Sequence, residues 1–377
     1  MNEIKLNPFL RIFIIIFLFQ YCSPNKDSEG DKSEQSRENE KSDFYTEADF
    51  KHVEKFDSHQ HFNYLDTAYI NQAKKDNFRL LNITDDRPFG LPMEEQKKIA
   101  VQLVKDFPSE INYATTFSVQ NWQEEEWQEE TIADLEDSFS KGAIAVKVWK
   151  NIGMNLKDEN GDFVMIDHPK FDPILSYLEA HKIPLIGHLG EPKDCWLPLD
   201  QMTLKGNQNY YSSHPEYHMY QHPDYPTYED QIQARDQMLE KHPDLIFIGA
   251  HLGSLEWSLD ELAKRLDKYP NMAVDLSRMS NLQHHAMSDW ENTRKFFMDY
   301  QDRLIYATDR AINETHDTSE RNLDVHEGRI RDWKFFTSQE TMQATGFEGE
   351  FNGLNLPRQV VDKIYRKNAK QWFSGLN

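Results

Sequence analysis

Beyond about residue 50, short apolar runs alternate with longer stretches whose apolar residues recur at helical spacing. The runs at 53–57, 79–84, 112–119, 143–149, 184–188, 246–250, 272–275 and 304–308 read as strands. Between them, 92–107, 124–140, 173–181, 228–242, 258–269 and 289–300 read as helices, and 357–373 forms a last one. Eight strands alternating with helices predict parallel pairing, either closed into a barrel or open and doubly wound. No glycine-rich phosphate turn follows the first strand, so the expected fold is a (β/α)8 TIM barrel.

Two stretches break the alternation. Residues 155–167 carry Asn160-Gly161 between strand-like arms, a hairpin signal after strand 4. Residues 191–227 form a long insertion after strand 5, rich in tyrosine, with His214, His218 and His222. Both leave the C-terminal ends of strands, where barrel enzymes keep their sites, so a lid or substrate wall is expected there. Pro215 and Pro223 argue against one continuous helix through the three histidines, which read as lid or surface residues.

The N-terminus follows a different pattern. Lys5 and Arg11 flank an apolar run at 12–19 that suits a signal-peptide core and is short for a membrane-spanning helix. It ends at Cys22, in a setting similar to a bacterial lipobox although Tyr21 stands where a small residue is usual. Residues 1–22 are thus expected to be a lipoprotein-type leader, with an ordinary signal peptide or an uncleaved anchor as alternatives. Residues 23–47 are polar and nearly free of aliphatic side chains. They read as a disordered tether to a barrel at 48–377, held outside the cytoplasm. Any membrane association would run through this leader. The net charge of −22 disfavours nucleic acid, whose binding requires cations on phosphates, and likewise an anionic membrane as a dock for the barrel. Only Cys22 and Cys195 are present, which excludes a disulfide framework.

The ends of the strands carry the candidate chemistry. Strand 1 closes with Asp57-Ser58-His59-Gln60-His61, and residues two apart on a strand share a face, so both imidazoles can reach one metal. Strand 5 closes on His188, strand 6 on His251 and strand 8 on Asp309. Any one of these alone reads as a cap or a hydrogen-bonded core residue. Four such endings at one rim of a barrel suit a divalent first-row metal, Zn2+ foremost, with Mn2+ as the alternative. Lys147 on strand 4 shares its face with Ala145 and Trp149, which points it inward. Asp57 reads equally as a partner of a ligand imidazole or as structural. Arg278 and Arg310 read equally as partners for an anionic substrate group or as rim salt bridges. Cys195 has no base beside it in sequence and is a poor nucleophile candidate.

Taken in order, Phe-Asp57-Ser-His59-Gln-His61, Pro184-Leu-Ile-Gly-His188, Gly-Ala-His251-Leu-Gly, Tyr-Ala-Thr-Asp309 and Asn368-Ala369 resemble the amidohydrolase superfamily. More narrowly they resemble the amidohydrolase-related branch that includes aminocarboxymuconate-semialdehyde decarboxylase and lactone hydrolases. The resemblance spans roughly residues 50–375. It implies that His59, His61 and His188 bind one metal, and that Asp309 binds it or takes a proton from its water. It further implies that His251 orients or protonates the substrate. Binuclear members of the superfamily use a carboxylated lysine on strand 4 and a strand-6 histidine, so Lys147 and His251 would complete a two-metal site. The single-metal reading leaves Lys147 a substrate-binding or structural part.

The leading expectation is hydrolysis of a lactone, ester or amide in a small organic substrate. Bound divalent metal brings the pKa of water to ~7, and a carboxylate and an imidazole can handle the protons. Non-oxidative decarboxylation is the alternative, and a lipid-tethered binding protein without catalysis is the third.

Overall fold

The computed structural model describes residues 43–344 and 346–376. The leader, Cys22 and tether residues 23–42 lie outside the described residues.

Eight parallel strands follow in chain order: β1 (Lys55–Phe62), β2 (Phe78–Ile83), β3 (Ile111–Thr116), β4 (Ala143–Val148), β5 (Leu185–Gly187), β6 (Phe247–Gly249), β7 (Met272–Asp275) and β8 (Leu304–Ile305). A short β9 (Arg310–Ile312) pairs in parallel with β1, so the sheet order is β8-β7-β6-β5-β4-β3-β2-β1-β9. Segments β8 and β9 are one pass of the chain, interrupted around Asp309, whose φ is 53°. That pass closes the barrel. Ser58 N–H donates to Tyr306 O at 3.1 Å, and Asp309 N–H donates to His59 O at 2.9 Å. The chain forms an α/β TIM barrel, as the alternating pattern predicts.

Inside the barrel, Phe56, Leu81, Ile83, Ala114, Ala145, Ile186, Ile248, Ala273 and Ile305 pack together. Trp372 and Phe373 of the C-terminal helix close this core. Outward residues such as Val146 and Val148 join the larger core beneath the helices. The helices start where short polar side chains can take the first free N–H groups. Asp66 caps Thr67–Lys75, Thr227 and Asp230 form a capping box on Tyr228–Lys241, and Ser258 caps Leu259–Lys268. Each insertion takes the place expected of it. The first folds as a tight turn in which Asp158 Oδ1 accepts from Asn160 N–H and Asp162 N–H, both at 2.9 Å. The second builds a small core of its own from Cys195, Met202, Tyr211 and Met219, joined by Met154 just ahead of the first.

The packed domain begins earlier than residue 48. Phe44 bridges Pro357, and the Tyr45 hydroxyl donates to Asp362 at 2.7 Å while its ring lies 5.3 Å from Trp333. Two aromatic side chains at the end of a polar stretch are enough to fix it to the barrel, so the tether reading does not extend over residues 43–47.

Candidate metal centre

Strand β1 does not run evenly past β2. Its register shifts between Asp57 and Gln60, a bulge that re-aims the residues following it. Both following histidines turn into the barrel mouth, with their Nε2 atoms 3.2 Å apart. Asp309 Oδ1 lies 3.3 Å from His59 Nε2 and 3.4 Å from His61 Nε2. These three are the described His, Cys, Asp and Glu residues whose ligand atoms converge closely enough for one ion.

The far side of each ring decides what the near side offers. His59 Nδ1 lies 2.7 Å from Asp275 Oδ2, and His61 Nδ1 lies 2.9 Å from the carbonyl of Ile83. A carboxylate and a carbonyl only accept, so both Nδ1 atoms carry hydrogen and both Nε2 atoms present bare lone pairs. Two lone pairs and a carboxylate oxygen within 3.4 Å repel one another unless a cation sits among them. This donor set therefore fits a divalent metal.

His188 stands beside the three rather than among them. Its ring meets His251 edge-on at 4.3 Å, and its Nε2 is buried without any hydrogen-bond partner, an orphan that a metal would satisfy. Burial, followed by the neighbouring His251, Lys150 and Lys147 charges, holds the His188 imidazole well below its ordinary pKa and thus neutral. Lys147 points inward as alternation requires. It is fully buried, its Nζ 3.3 Å from His59 Nε2, and burial lowers the pKa of its ammonium.

His251 sits on an unusual turn. His251, Leu252, Gly253 and Ser254 all have φ between 56° and 64°, a left-handed turn that three of them adopt without the freedom of glycine. Gly249 permits it, because a Cβ there would stand 2.7 Å from the Cα of Gly253. The turn places His251 Nε2 3.7 Å from Asp309 Oδ2 and its Nδ1 2.8 Å from Ser277 Oγ. Ser277 gives its own proton to Asp275 Oδ1 at 2.6 Å, so it can only accept from His251 Nδ1–H. The lone pair of His251 Nε2 therefore faces the site. Burial keeps this ring neutral too, overriding the pull of Asp309. Burial raises the pKa of Asp309, but the His59, His251 and His61 rings outweigh it and hold the carboxyl well below its usual range.

Asp275 is thus the hub of the site: it accepts from His59, from Ser277 and from His251 N–H at 2.8 Å. Sequence reading passed it over, although the signal was there. The run Met-Ala-Val-Asp275 ends on a carboxylate just as β5 and β6 lead into histidines. Asp57 instead serves the barrel seam, accepting from Thr308 N–H at 3.0 Å and Thr308 Oγ–H at 2.8 Å. The lid histidines are spent on local carbonyls: His214 on Tyr210, His218 on Leu197 and His222 on Pro215. The Cys195 thiol is buried, donates to Tyr217 O, and is pushed up by burial, which leaves it inert.

A barrel with this rim of ligands defines a metal-dependent amidohydrolase fold, and comparison bears that out. The chain belongs to the amidohydrolase family, in its amidohydrolase-related (family 2) branch; the family profile, described as amidohydrolase, matches residues 117–374. No curated protein matches the chain. Among solved structures, it is similar to 2,6-dihydroxybenzoate decarboxylase from Rhizobium, at 14% identity and a TM-score of 0.48, covering 85% of this chain and 98% of that one. It is also similar to 5-carboxyvanillate decarboxylase from Novosphingobium aromaticivorans with bound manganese, at 13% identity and a TM-score of 0.45, covering 86% and 98%.

Proposed function

We propose that the protein hydrolyses a small organic substrate, a lactone, ester or amide, at a single divalent metal held by His59, His61, Asp309 and His188. The observation that carries this reading is the convergence of two bare imidazole nitrogens and the Asp309 carboxylate at the barrel mouth. A divalent cation bound there would polarise a carbonyl and acidify water toward neutral pH. Zn2+ suits the donor chemistry, and Mn2+ is compatible with it. The chain's own residues do the rest. Asp275 and the Ile83 carbonyl hold the two ligand rings in the tautomer that binds metal. Asp309, still ionised, can accept a proton, and His251, 3.7 Å away, can take it over and return it to a leaving group.

Non-oxidative decarboxylation is the second reading, favoured by Arg278, whose charge acts on His251 and which no carboxylate side chain among the described residues pairs; Lys150 at the same rim is already paired with Glu191. The test is metal content per chain and turnover, comparing wild type with His59→Ala/His61→Ala, Asp309→Asn and His251→Asn. One metal per chain, lost in the double variant, with acid release that falls in all variants, is the expected result. Release of CO2 instead favours the second reading. A wild type that takes up neither Zn2+ nor Mn2+ refutes both.

A further inference from the structure

Next to the metal centre, beyond the ends of β7 and β8, lies a cavity of about 590 Å3 that the proposed chemistry leaves unused. Its inner wall includes Ser277, which holds His251, and Thr308, the neighbour of Asp309. Four arginines line it, Arg278, Arg310, Arg329 and Arg331, against two aspartates, Asp324 and Asp332. In a chain of net charge −22, such a lining runs against the general charge balance.

The pairing inside the cavity sharpens the point. Arg310 is neutralised by Asp324 at 2.9 Å, and Asp332 is engaged by the Tyr306 hydroxyl at 2.7 Å. Arg329 is 2% exposed and its Nη1 reaches Asp76 at 3.3 Å, yet its Nε and Nη2 meet no acceptor. Neither the Arg278 nor the Arg331 side chain makes a hydrogen bond or ion pair among the described residues, and Arg278 Nε is buried without a partner. Glu256 feels the charge of Arg278 but does not pair with it; its Oε2 is itself unpartnered. The buried guanidinium donors of Arg278 and Arg329 are costly without acceptors unless an anion satisfies them, and the exposed Arg331 adds a further cation at the cavity's edge.

We propose that this cavity is a subsite for an oxyanion on the substrate, a carboxylate or a phosphate, gripped by Arg278 and Arg331 while the reacting bond lies at the metal centre. The assignment rests on the proposed function for its placement and narrows the substrate class to anionic molecules with the charge set apart from the scissile group. On this assignment Arg278 serves the substrate, while Arg310 is the one held in a rim salt bridge with Asp324.

Calorimetric titration of the full, metal-loaded chain with inorganic phosphate, and separately with benzoate, tests it. Saturable binding of at least one anion is expected, weakened at least roughly tenfold in Arg278→Met/Arg331→Met, recovered in part in Arg278→Lys/Arg331→Lys, and weakened by added salt. Binding must also persist in the metal-free His59→Ala/His61→Ala variant, which separates this subsite from direct metal ligation. Phosphate binding alone points to phosphorylated substrates; benzoate binding points to carboxylated ones. Binding that vanishes with the metal and ignores the arginines overturns the subsite and leaves the metal chemistry standing, as does no saturable binding to a metal-loaded chain. Anion binding in a wild type that takes up no metal supports the subsite and removes the proposed function.

Discussion

The substitution Asp275→Asn separates the hub from the ligands it serves. Three donors converge on Asp275 Oδ1: His251 N–H at 2.8 Å, Ser277 N–H at 3.2 Å and Ser277 Oγ–H at 2.6 Å. The carboxamide oxygen must stay there, which puts the NH2 group in the place of Oδ2, 2.7 Å from His59 Nδ1. An NH2 group donates, so Nδ1 must become the acceptor and the ring hydrogen moves to Nε2, where it points into the donor set. His59 then no longer offers a lone pair to the metal. Loss of such an outer partner typically costs 10–100-fold in metal affinity, or about 1.4–2.8 kcal/mol. Folding changes less, because a neutral hydrogen bond replaces the charge-assisted one, a difference on the order of 1 kcal/mol. The assay is chelator competition for Zn2+ and Mn2+ on both proteins, with 15N shifts of the His59 ring to read the tautomer. Metal affinity within about twofold of wild type, with Nε2 still unprotonated, would refute the tautomer argument.

The other predictions address other parts of the chain. His251→Asn should keep the metal and lower turnover by roughly 10²–10⁴, as measured by metal content beside steady-state kinetics. Burial raises Glu256 from an ordinary value of 4.5 to about 7. The unfolded chain therefore binds fewer protons than the folded one between these values, and stability should fall by up to roughly 3 kcal/mol as pH rises through this window. Denaturant titrations across that range should show the slope in wild type and its loss in Glu256→Gln. Gly249→Ala should lower the unfolding midpoint, since its Cβ would press against the Gly253 backbone that carries the His251 turn. Cys22→Ser should abolish incorporation of labelled fatty acid in cells if the leader is of the lipoprotein type.

The strands were legible because each is an apolar run closed by a polar residue, and the same endings marked His59, His61, His188, His251 and Asp309. What escaped had physical reasons. The helix Thr318–Thr337 hides its pattern because its buried face includes a charged residue, Arg329, sheltered by Asp76 and the Phe78 ring. The last helix is not continuous. A π turn at Lys363–Lys367 widens it without any Pro or Gly to announce it, and Ile364 O turns aside to accept from Tyr306 N–H at 3.0 Å. The expected eighth strand, 304–308, stops at Ile305, where Tyr306 N–H turns to Ile364 O, and pairing resumes at Arg310 past the positive φ of Asp309. None of these events leaves a mark in hydrophobic spacing.

The distribution of backbone strain argues for the site independently of residue chemistry. Non-glycine residues in the left-handed region cost on the order of 1 kcal/mol or more each, and they persist only where surrounding contacts over-determine them. Here His251, Leu252 and Ser254 adopt it in one turn that runs through Gly253, and Asp309 adopts it across the mouth. Three of them are pinned by hydrogen bonds: His251 N–H to Asp275, Ser254 Oγ–H to Leu189 O at 3.1 Å behind β5, and Asp309 N–H to His59 O. A relaxed turn after β6 would carry His251 along an extended path, away from Asp309 and Ser277. The strained one brings its bare Nε2 toward the carboxylate that faces the metal ligands. Asn77, Asn121, Lys182 and Asn355 also have positive φ elsewhere in the chain, but only at the mouth do several such residues gather, and they include the two residues proposed for proton transfer. The proposed ligands His59 and His61 sit on an unstrained but bulged strand, so the strain at the mouth is confined to Asp309 and to the turn that aims His251 at it.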